Sequence, residues 1–275
     1  MNLADKIVIV TGAGSGLGRC LALQLGMHGA TIACVDYNAD SMKETGALLE
    51  AQGTPCSLHQ ADVSSREDVT RVVAEIDGLH DGFDVLINNA GIMQSFTTVS
   101  NLGIDEIERI TQVNYWGMIL FVKASLPILE ARREALIVNI SSLSALLPFP
   151  GQTAYSASKA AVRIFSEGLR LELRDKGVAV ALVMPGAMRT EIAENSPFHS
   201  EEAKARFRQM SEGGGFGLSA EDAARKILRA LHSKRYRLIL GAEAWFLDKC
   251  YRVAPVSTCR LLSWGMRLSP LTRAS

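Results

Sequence analysis

The chain has 275 residues, 48% of them hydrophobic and 21% charged, with 29 basic and 29 acidic side chains. That is enough apolar material for a sizeable α/β core without disulfide or metal staples, and the balanced charge gives no global electrostatic reason to expect nucleic acid or an anionic membrane as a partner. The five cysteines, Cys20, Cys34, Cys56, Cys250 and Cys259, are scattered and lack C-x-x-C spacing. They argue against a disulfide framework or a zinc site and for a reducing, cytoplasmic compartment.

The N-terminus runs straight into an apolar strand, with no basic region preceding a long apolar stretch, so neither a secretion signal nor a membrane-spanning segment is expected. In chain order, strands are predicted at 7–11, 31–35, 57–61, 85–88, 136–141, 179–184 and 237–240. Helices are predicted between them at 17–28, 41–52, 66–78, 104–130, 153–176 and 220–232. Near-continuous apolar strands alternating with helices predict a doubly wound, Rossmann-type parallel sheet in a single domain over residues 1–241. A polar stretch at 191–217 interrupts the alternation and reads as a mobile substrate segment. Residues 242–275 read as a C-terminal helical extension broken at Pro255.

The first strand ends in Thr11-Gly12-Ala13-Gly14-Ser15-Gly16-Leu17-Gly18, and a helical pattern begins at once. Glycines permit positive φ and close approach of the backbone to a ligand, and the N-terminus of the helix offers free N–H groups to a pyrophosphate. A glycine cluster can be a plain turn, but its place between the first strand and first helix favours a nucleotide site. The common G-x-G-x-x-G fingerprint does not fit, because Leu17 or Arg19 falls where its last glycine belongs. The spacing of Thr11, Gly12, Gly16 and Gly18 resembles the T-G-x-x-x-G-x-G signature of the short-chain dehydrogenase/reductase family.

The second strand ends at Asp36, followed by Tyr37. A carboxylate there can accept bonds from the adenosine ribose and repels a 2′-phosphate, and neither Tyr37 nor Ser15 supplies compensating positive charge; NAD is therefore expected rather than NADP. The plain alternative for Asp36 is a solvated acid opening a turn. The resemblance extends through Asp62-Val63, placed beside the adenine in similar proteins, and Asn88-Asn89-Ala90-Gly91, which matches the family's N-N-A-G motif. For Asn88 a structural role is as good a reading as ligand contact. The family's P-G turn corresponds to Pro185-Gly186, with Thr190 as its nicotinamide or phosphate ligand and Arg189 solvated. The cofactor contacts expected are thus Thr11, Gly12, Ser15, Gly16, Leu17, Gly18, Asp36, Tyr37, Asp62, Val63, Asn89, Ala90, Gly91, Tyr155, Lys159, Pro185, Gly186 and Thr190.

Tyr155 and Lys159 form a Y-x-x-x-K pair, which a helix places on one face. A phenol needs help to act as a base near neutral pH, and a neighbouring ammonium lowers its pKa. Such pairs arise by chance on surfaces, but thirteen positions upstream stands Ser142, at the end of an apolar strand, where a hydroxyl can hold a substrate oxygen. The family's catalytic serine has this spacing, which favours Ser142 over Ser141 and Ser144. Asn114 matches the family's fourth catalytic position; an Asn inside a helix competes for backbone bonds, and a bent helix holding a proton-relay water near Lys159 would account for it.

The resemblance implies an oxidoreductase that interconverts an alcohol and a carbonyl, with a homodimer or homotetramer as its assembly. Specificity is expected from residues 93–98, 144–150 and 191–217, where Met93, Phe96, Leu146, Leu147, Phe149 and Phe198 suit a lipophilic or aromatic substrate. A nucleotide sensor or membrane-recruited scaffold of the same fold is the rival reading. In the tail, Trp245, Phe246, Leu247, Val253, Leu261, Leu262 and Trp264 stand among Lys249, Arg252, Arg260, Arg267 and Arg273. This stripe is expected to pack on protein, over the cleft or on a second subunit; peripheral membrane contact is the alternative.

Overall fold

A computed structural model describes residues 2–189, 192, 196, 217–233 and 235–267. Its centre is a sheet of seven parallel strands: β1 (Ile7–Thr11), β2 (Thr31–Asp36), β3 (Cys56–Gln60), β4 (Val85–Asn88), β5 (Ala135–Ile140), β6 (Val178–Pro185) and β9 (Arg237–Leu240), in the order β3-β2-β1-β4-β5-β6-β9. Two further strands, β7 (Met188–Arg189) and β8 (Leu218–Ser219), form a separate parallel pair.

Parallel strands need crossovers, and helices supply them: α1 (Gly16–Met27), α2 (Ala39–Ala51), α3 (Arg66–His80), α4 (Ile104–Thr111), α5 (Gly117–Glu130), α6 (Thr153–Glu172) and α7 (Ala220–His232). The helices bury both faces of the sheet. Val8, Val10, Ile87 and Val138 pack on one side with Leu21 and Leu25 of α1 and Ile227 and Leu228 of α7. Ile9, Leu86 and Ile137 pack on the other with Val72 and Ile76 of α3, Phe121 of α5 and Val162 and Leu169 of α6. Burial on both faces is why β1, β4 and β5 are almost unbroken apolar runs. The chain reverses direction across the sheet between neighbours β1 and β4, and the crevice beyond their C-terminal ends is where such sheets hold ligands.

The predicted helix 104–130 is interrupted. α4 and α5 are separated by a π-helical turn, Gln112–Trp116, which contains Asn114. α2 begins earlier than the apolar pattern indicated, because the Asn38 side chain caps the N–H groups of Asp40 and Ser41. The pair β7–β8 was not anticipated, being two residues long in each strand. Most of the polar stretch 191–217 lies outside the described residues, as do Thr190, Phe198 and residues 268–275.

The C-terminal extension forms α8 (Ala242–Val253) and α9 (Pro255–Arg267), with Pro255 as the first residue of α9, where a missing N–H costs nothing. Ala244, Leu247 and Tyr251 of α8 and Leu262 of α9 pack with Leu143, Leu146, Leu147 and Phe149, the segment that follows β5. Part of the apolar stripe therefore packs on the segment that follows β5. Trp245, Phe246, Val253, Val256, Leu261 and Trp264 remain exposed. Among the described residues no helix is long and apolar enough to cross a membrane.

Candidate active site

The glycine turn is fixed by hydrogen bonds to the end of β4. The buried Thr11 hydroxyl donates to the Ile87 carbonyl (3.3 Å) and accepts from the N–H groups of Asn89 (3.0 Å) and Ala90 (3.1 Å). Asn89 returns the contact, its amide donating to the carbonyls of Thr11 (3.0 Å) and Gly12 (3.2 Å). Gly12 and Gly16 adopt φ of +66° and +49°. At Gly18 the demand is close packing: a Cβ there would lie 1.9 Å from the Gly12 carbonyl oxygen and 2.6 Å from the Asn89 amide. α1 begins at Gly16 with no acidic residue in its first turn, an end suited to an anion.

Asp36 reaches back to this turn. One carboxylate oxygen accepts from Gly14 N–H (2.8 Å) and the other from Asn38 N–H (2.9 Å). A single cleft of about 110 Å³ runs from Gly12, Ser15, Gly16, Leu17 and Asp36 past Asn89, Ala90 and Gly91 to Ile140, Ser141, Tyr155, Lys159, Met188 and Ile192. The predicted nucleotide turn and the predicted reacting pair thus share one space. Thr11 and Gly18 serve the turn from behind, and Tyr37 is exposed beyond it.

Asp62 lies off this lining. It accepts from Ser64 N–H (2.9 Å) and the Ser64 hydroxyl (2.6 Å) and pairs with Arg109 (3.2 Å). Burial alone would raise its carboxyl, but the Ser64 bonds and the Arg109 charge hold it below the ordinary range. Val63 packs against Gly117, where a Cβ would lie 2.9 Å from its side chain. At the end of β6, Pro185 pairs with Leu240, and Gly186 donates to the Leu240 carbonyl (2.8 Å). A Cβ on Gly186 would meet Glu243 and Ala244 of α8, so the P-G turn sits directly under the C-terminal extension.

α6 carries Tyr155 and Lys159 one turn apart, both buried. The Lys159 ammonium nitrogen lies 5.9 Å from the Tyr155 ring centroid and donates to the Ile140 carbonyl (3.2 Å). Ser141 and Ser142 take different jobs at the end of β5. Ser141 Oγ donates to the Lys159 carbonyl (2.7 Å), tying strand to helix. Ser142 hydrogen-bonds the Tyr155 phenol, and its Oγ accepts from Ser144 N–H (3.2 Å).

The expected lowering of the phenol does not hold in the chain by itself. Burial pushes Tyr155 up to about 12, with the Ser142 bond pulling the other way. The same burial pushes Lys159 down to about 8. Removal from water disfavours both charged forms and here outweighs their mutual stabilisation.

Asn114 sits in the π turn and is almost fully buried. Its side chain accepts from Ile92 N–H (2.8 Å) and donates to the Ile92 carbonyl (2.9 Å) and to Ser158 Oγ (3.1 Å). Ser158 in turn donates to the Tyr155 carbonyl (2.7 Å). The helix is interrupted there by the π turn, and the amide itself clamps backbone. A Cβ on Gly91 would lie 3.1 Å from both Asn114 Oδ1 and Lys159 Nζ, which places the two side chains around that glycine. Asn88 is structural: its amide donates to Asn139 (2.8 Å), which donates to Ser166 of α6 (2.8 Å).

Gln94 escaped the sequence reading. The N-cap residue of α6, Gln152, makes no side-chain cap bond. Instead the fully buried Gln94 accepts from the N–H groups of Ala154 (2.8 Å) and Tyr155 (3.2 Å) and donates to the Gly151 carbonyl (2.9 Å). A loop residue thereby caps the helix at Tyr155 itself. A lone glutamine in a loop carries no signal for this, because the bond spans 61 residues.

Comparison with known proteins agrees with this geometry. The short chain dehydrogenase family profile matches residues 6–200. The SadH protein of Mycobacterium tuberculosis is 36% identical over 271 residues, covering 96% of each chain. The 1-deoxy-11-beta-hydroxypentalenate dehydrogenase of Streptomyces exfoliatus is 30% identical, over 89% of this chain and 86% of that one. Among solved structures, a short chain dehydrogenase/reductase from Burkholderia phymatum in complex with NAD superposes with a TM-score of 0.85 at 25% identity, covering 94% and 96% of the two chains. A short chain dehydrogenase from Burkholderia cenocepacia in complex with NADP gives 0.78 at 25% identity, covering 98% and 100%. With the parallel sheet, the glycine turn and the buried Tyr155–Lys159 pair, these matches establish that the chain is an oxidoreductase of the short-chain dehydrogenase/reductase family.

Proposed function

We propose that the protein is an NAD(H)-dependent oxidoreductase interconverting a secondary alcohol and a ketone on a lipophilic substrate. The observation that carries this reading is the Tyr155 phenol bonded to Ser142 and backed by Lys159, in the same cleft as the glycine turn. When bound, the nicotinamide supplies or accepts the hydride. The chain's residues manage the oxygen. Ser142 Oγ holds the substrate oxygen, and Tyr155 gives its proton to the developing alkoxide in reduction or takes one from the alcohol in oxidation. Lys159 offsets charge on the phenolate and returns a proton to it. The π turn at Asn114, beside Lys159 across Gly91, has the widened backbone on which a relay water can sit.

The cleft residues fit a dinucleotide: a cradle of positive-φ glycines, a helix N-terminus and an acid at the ribose position. Asp36 favours NAD, because its carboxylate repels a 2′-phosphate. The nearest guanidinium, Arg19, is committed to Glu44, the Thr45 hydroxyl and the carbonyls of Gly14 and Ser41. Leu146, Phe149, Leu247 and Tyr251 support a lipophilic substrate, and the Streptomyces relative, named as a 1-deoxy-11-beta-hydroxypentalenate dehydrogenase, supports a secondary alcohol. Exposed Ile164 and Leu171 on α6, with Trp116, support pairing of this helix with a second copy. Five free cysteines fit a reducing compartment. The rival, a non-catalytic sensor, gives no reason to bury an ammonium beside a phenol.

Tyr155→Phe is expected to lower kcat by about 10²–10⁴-fold while leaving the NADH dissociation constant within about threefold, measured by nucleotide absorbance and fluorescence titration. Equal turnover in that variant would end the acid–base assignment; NADH binding without turnover of any alcohol or ketone by the parent would favour the sensor. Replacing Asp36 with Ala should shift the ratio of kcat/KM for NAD over NADP toward NADP by at least about tenfold, since a like-charge clash costs several kcal/mol.

Lys159 has a folded pKa of about 8 against an ordinary 10.5, so the unfolded chain binds more protons between those values. Its burial penalty is present in full below about pH 8 and fades as pH rises toward 10.5. The parent should therefore gain stability relative to Lys159→Met across that window in chemical denaturation, and a pH-independent difference would count against a depressed ammonium. Gln94→Leu strands the N–H groups of Ala154 and Tyr155, a loss of roughly 1–3 kcal/mol per buried group. Its kcat should fall more than its nucleotide affinity, and Gln94→Glu, which keeps the acceptor, should recover part of kcat while moving the alkaline limb of the pH profile upward.

A further inference from the structure

We propose that the outward face of α8 and α9 docks peripherally on a membrane surface bearing anionic lipid. Each helix presents a row with a basic residue between two apolar ones at i, i+4 spacing: Trp245, Lys249 and Val253 on α8, and Val256, Arg260 and Trp264 on α9. All six side chains are exposed. Two of the three tryptophans of the chain stand in these rows, joined by exposed Phe246 and Leu261. The Lys249 ammonium lies 5.6 Å from the Trp245 ring centroid, an aromatic–cation pairing suited to the headgroup boundary.

The acids of the pair are turned away from this face. Asp248 is buried and held by Arg252 Nε at 2.9 and 3.0 Å, with Arg237 at 4.0 Å. Glu243 sits against Gly186 and Gly241. The two rows themselves are apolar and cationic, with Glu243 exposed but outside them. Between the helices runs a groove of about 590 Å³ lined by Tyr251, Pro255, Val256, Cys259, Arg260 and Trp264, with Ser263. An apolar trough with one guanidinium at its rim fits an acyl chain that ends in a negative headgroup.

Charge selects lipid over a second copy. A twofold contact through this face would bring Lys249 and Arg260 toward their own counterparts, with no acid in either row to answer them. The inner face is already used, packed on Leu143, Leu147 and Phe149. Because no described helix can cross a membrane, the contact is interfacial.

The test uses the full-length protein with sonicated phosphatidylcholine vesicles, with and without phosphatidylglycerol, in a sedimentation assay at low and high salt. The protein should pellet with the phosphatidylglycerol vesicles, stay in solution with pure phosphatidylcholine, and be released by salt. Lys249→Glu/Arg260→Glu should weaken vesicle binding by at least about tenfold, and Trp245→Ser/Trp264→Ser should weaken it without changing the salt dependence. Both double variants alter exposed side chains and should keep the parent's melting temperature and NADH binding, so failure to bind vesicles is separable from failure of the enzymatic reading. Parent protein remaining in the supernatant with anionic vesicles would overturn the proposal, as would a charge-reversed variant that pellets like the parent. A solution dimer abolished by the tryptophan substitutions would assign the face to a second copy and overturn it equally.

Discussion

The constraint on which the active site depends is the burial of an ammonium and a phenol one helical turn apart at the end of a parallel sheet. Water would stabilise both charged forms, and the fold denies it to them. The surroundings compensate with fixed dipoles. The Ile140 carbonyl receives the Lys159 ammonium, Ser142 bonds the phenol, and Ser141 binds the backbone at Lys159. Two side chains from elsewhere then join Ser141 in holding the start of α6: Gln94 at the N–H of Tyr155, and Asn114 through Ser158, which donates to the Tyr155 carbonyl. The first turns of α6 are therefore gripped from three segments of the chain, and the helix cannot shift without breaking several buried bonds.

The fold was largely legible, for a physical reason. Strands buried on both faces must be apolar at every position, so 7–11, 85–88 and 135–140 announce themselves without alternation. The glycine turn was readable because backbone geometry restricts which residues can stand there. The interruption at Asn114 was half legible: a polar residue in a helix signalled a bend, whereas its two-way bond to Ile92, 22 positions away, depends on a loop whose path no local pattern records. Gln94 was invisible on the same ground. The thirteen-residue interval from Ser142 to Tyr155 acquires meaning only through the resemblance to relatives. The upward push on Tyr155 in the chain by itself was not legible, because neighbouring charge can be read from spacing but desolvation belongs to the assembled core.

Charge is distributed so that each anion and cation of the cleft has a structural partner before any ligand arrives. Asp36 is held by two N–H groups, and Arg19 is occupied by the turn it supports. Such preorganisation keeps the glycine-turn end of the cleft rigid, while residues 143–149 pack under the C-terminal helices.

The contact of Gly186 with Glu243 and Ala244 ties those helices to the turn that closes β6. There is no slack at that joint, because even a methyl group on Gly186 would collide with α8. α8 therefore cannot tilt without disturbing both the turn after β6 and the 143–149 segment packed beneath it. An extension that looks like an appendage in the sequence is wedged against two of the elements that lead out of the sheet.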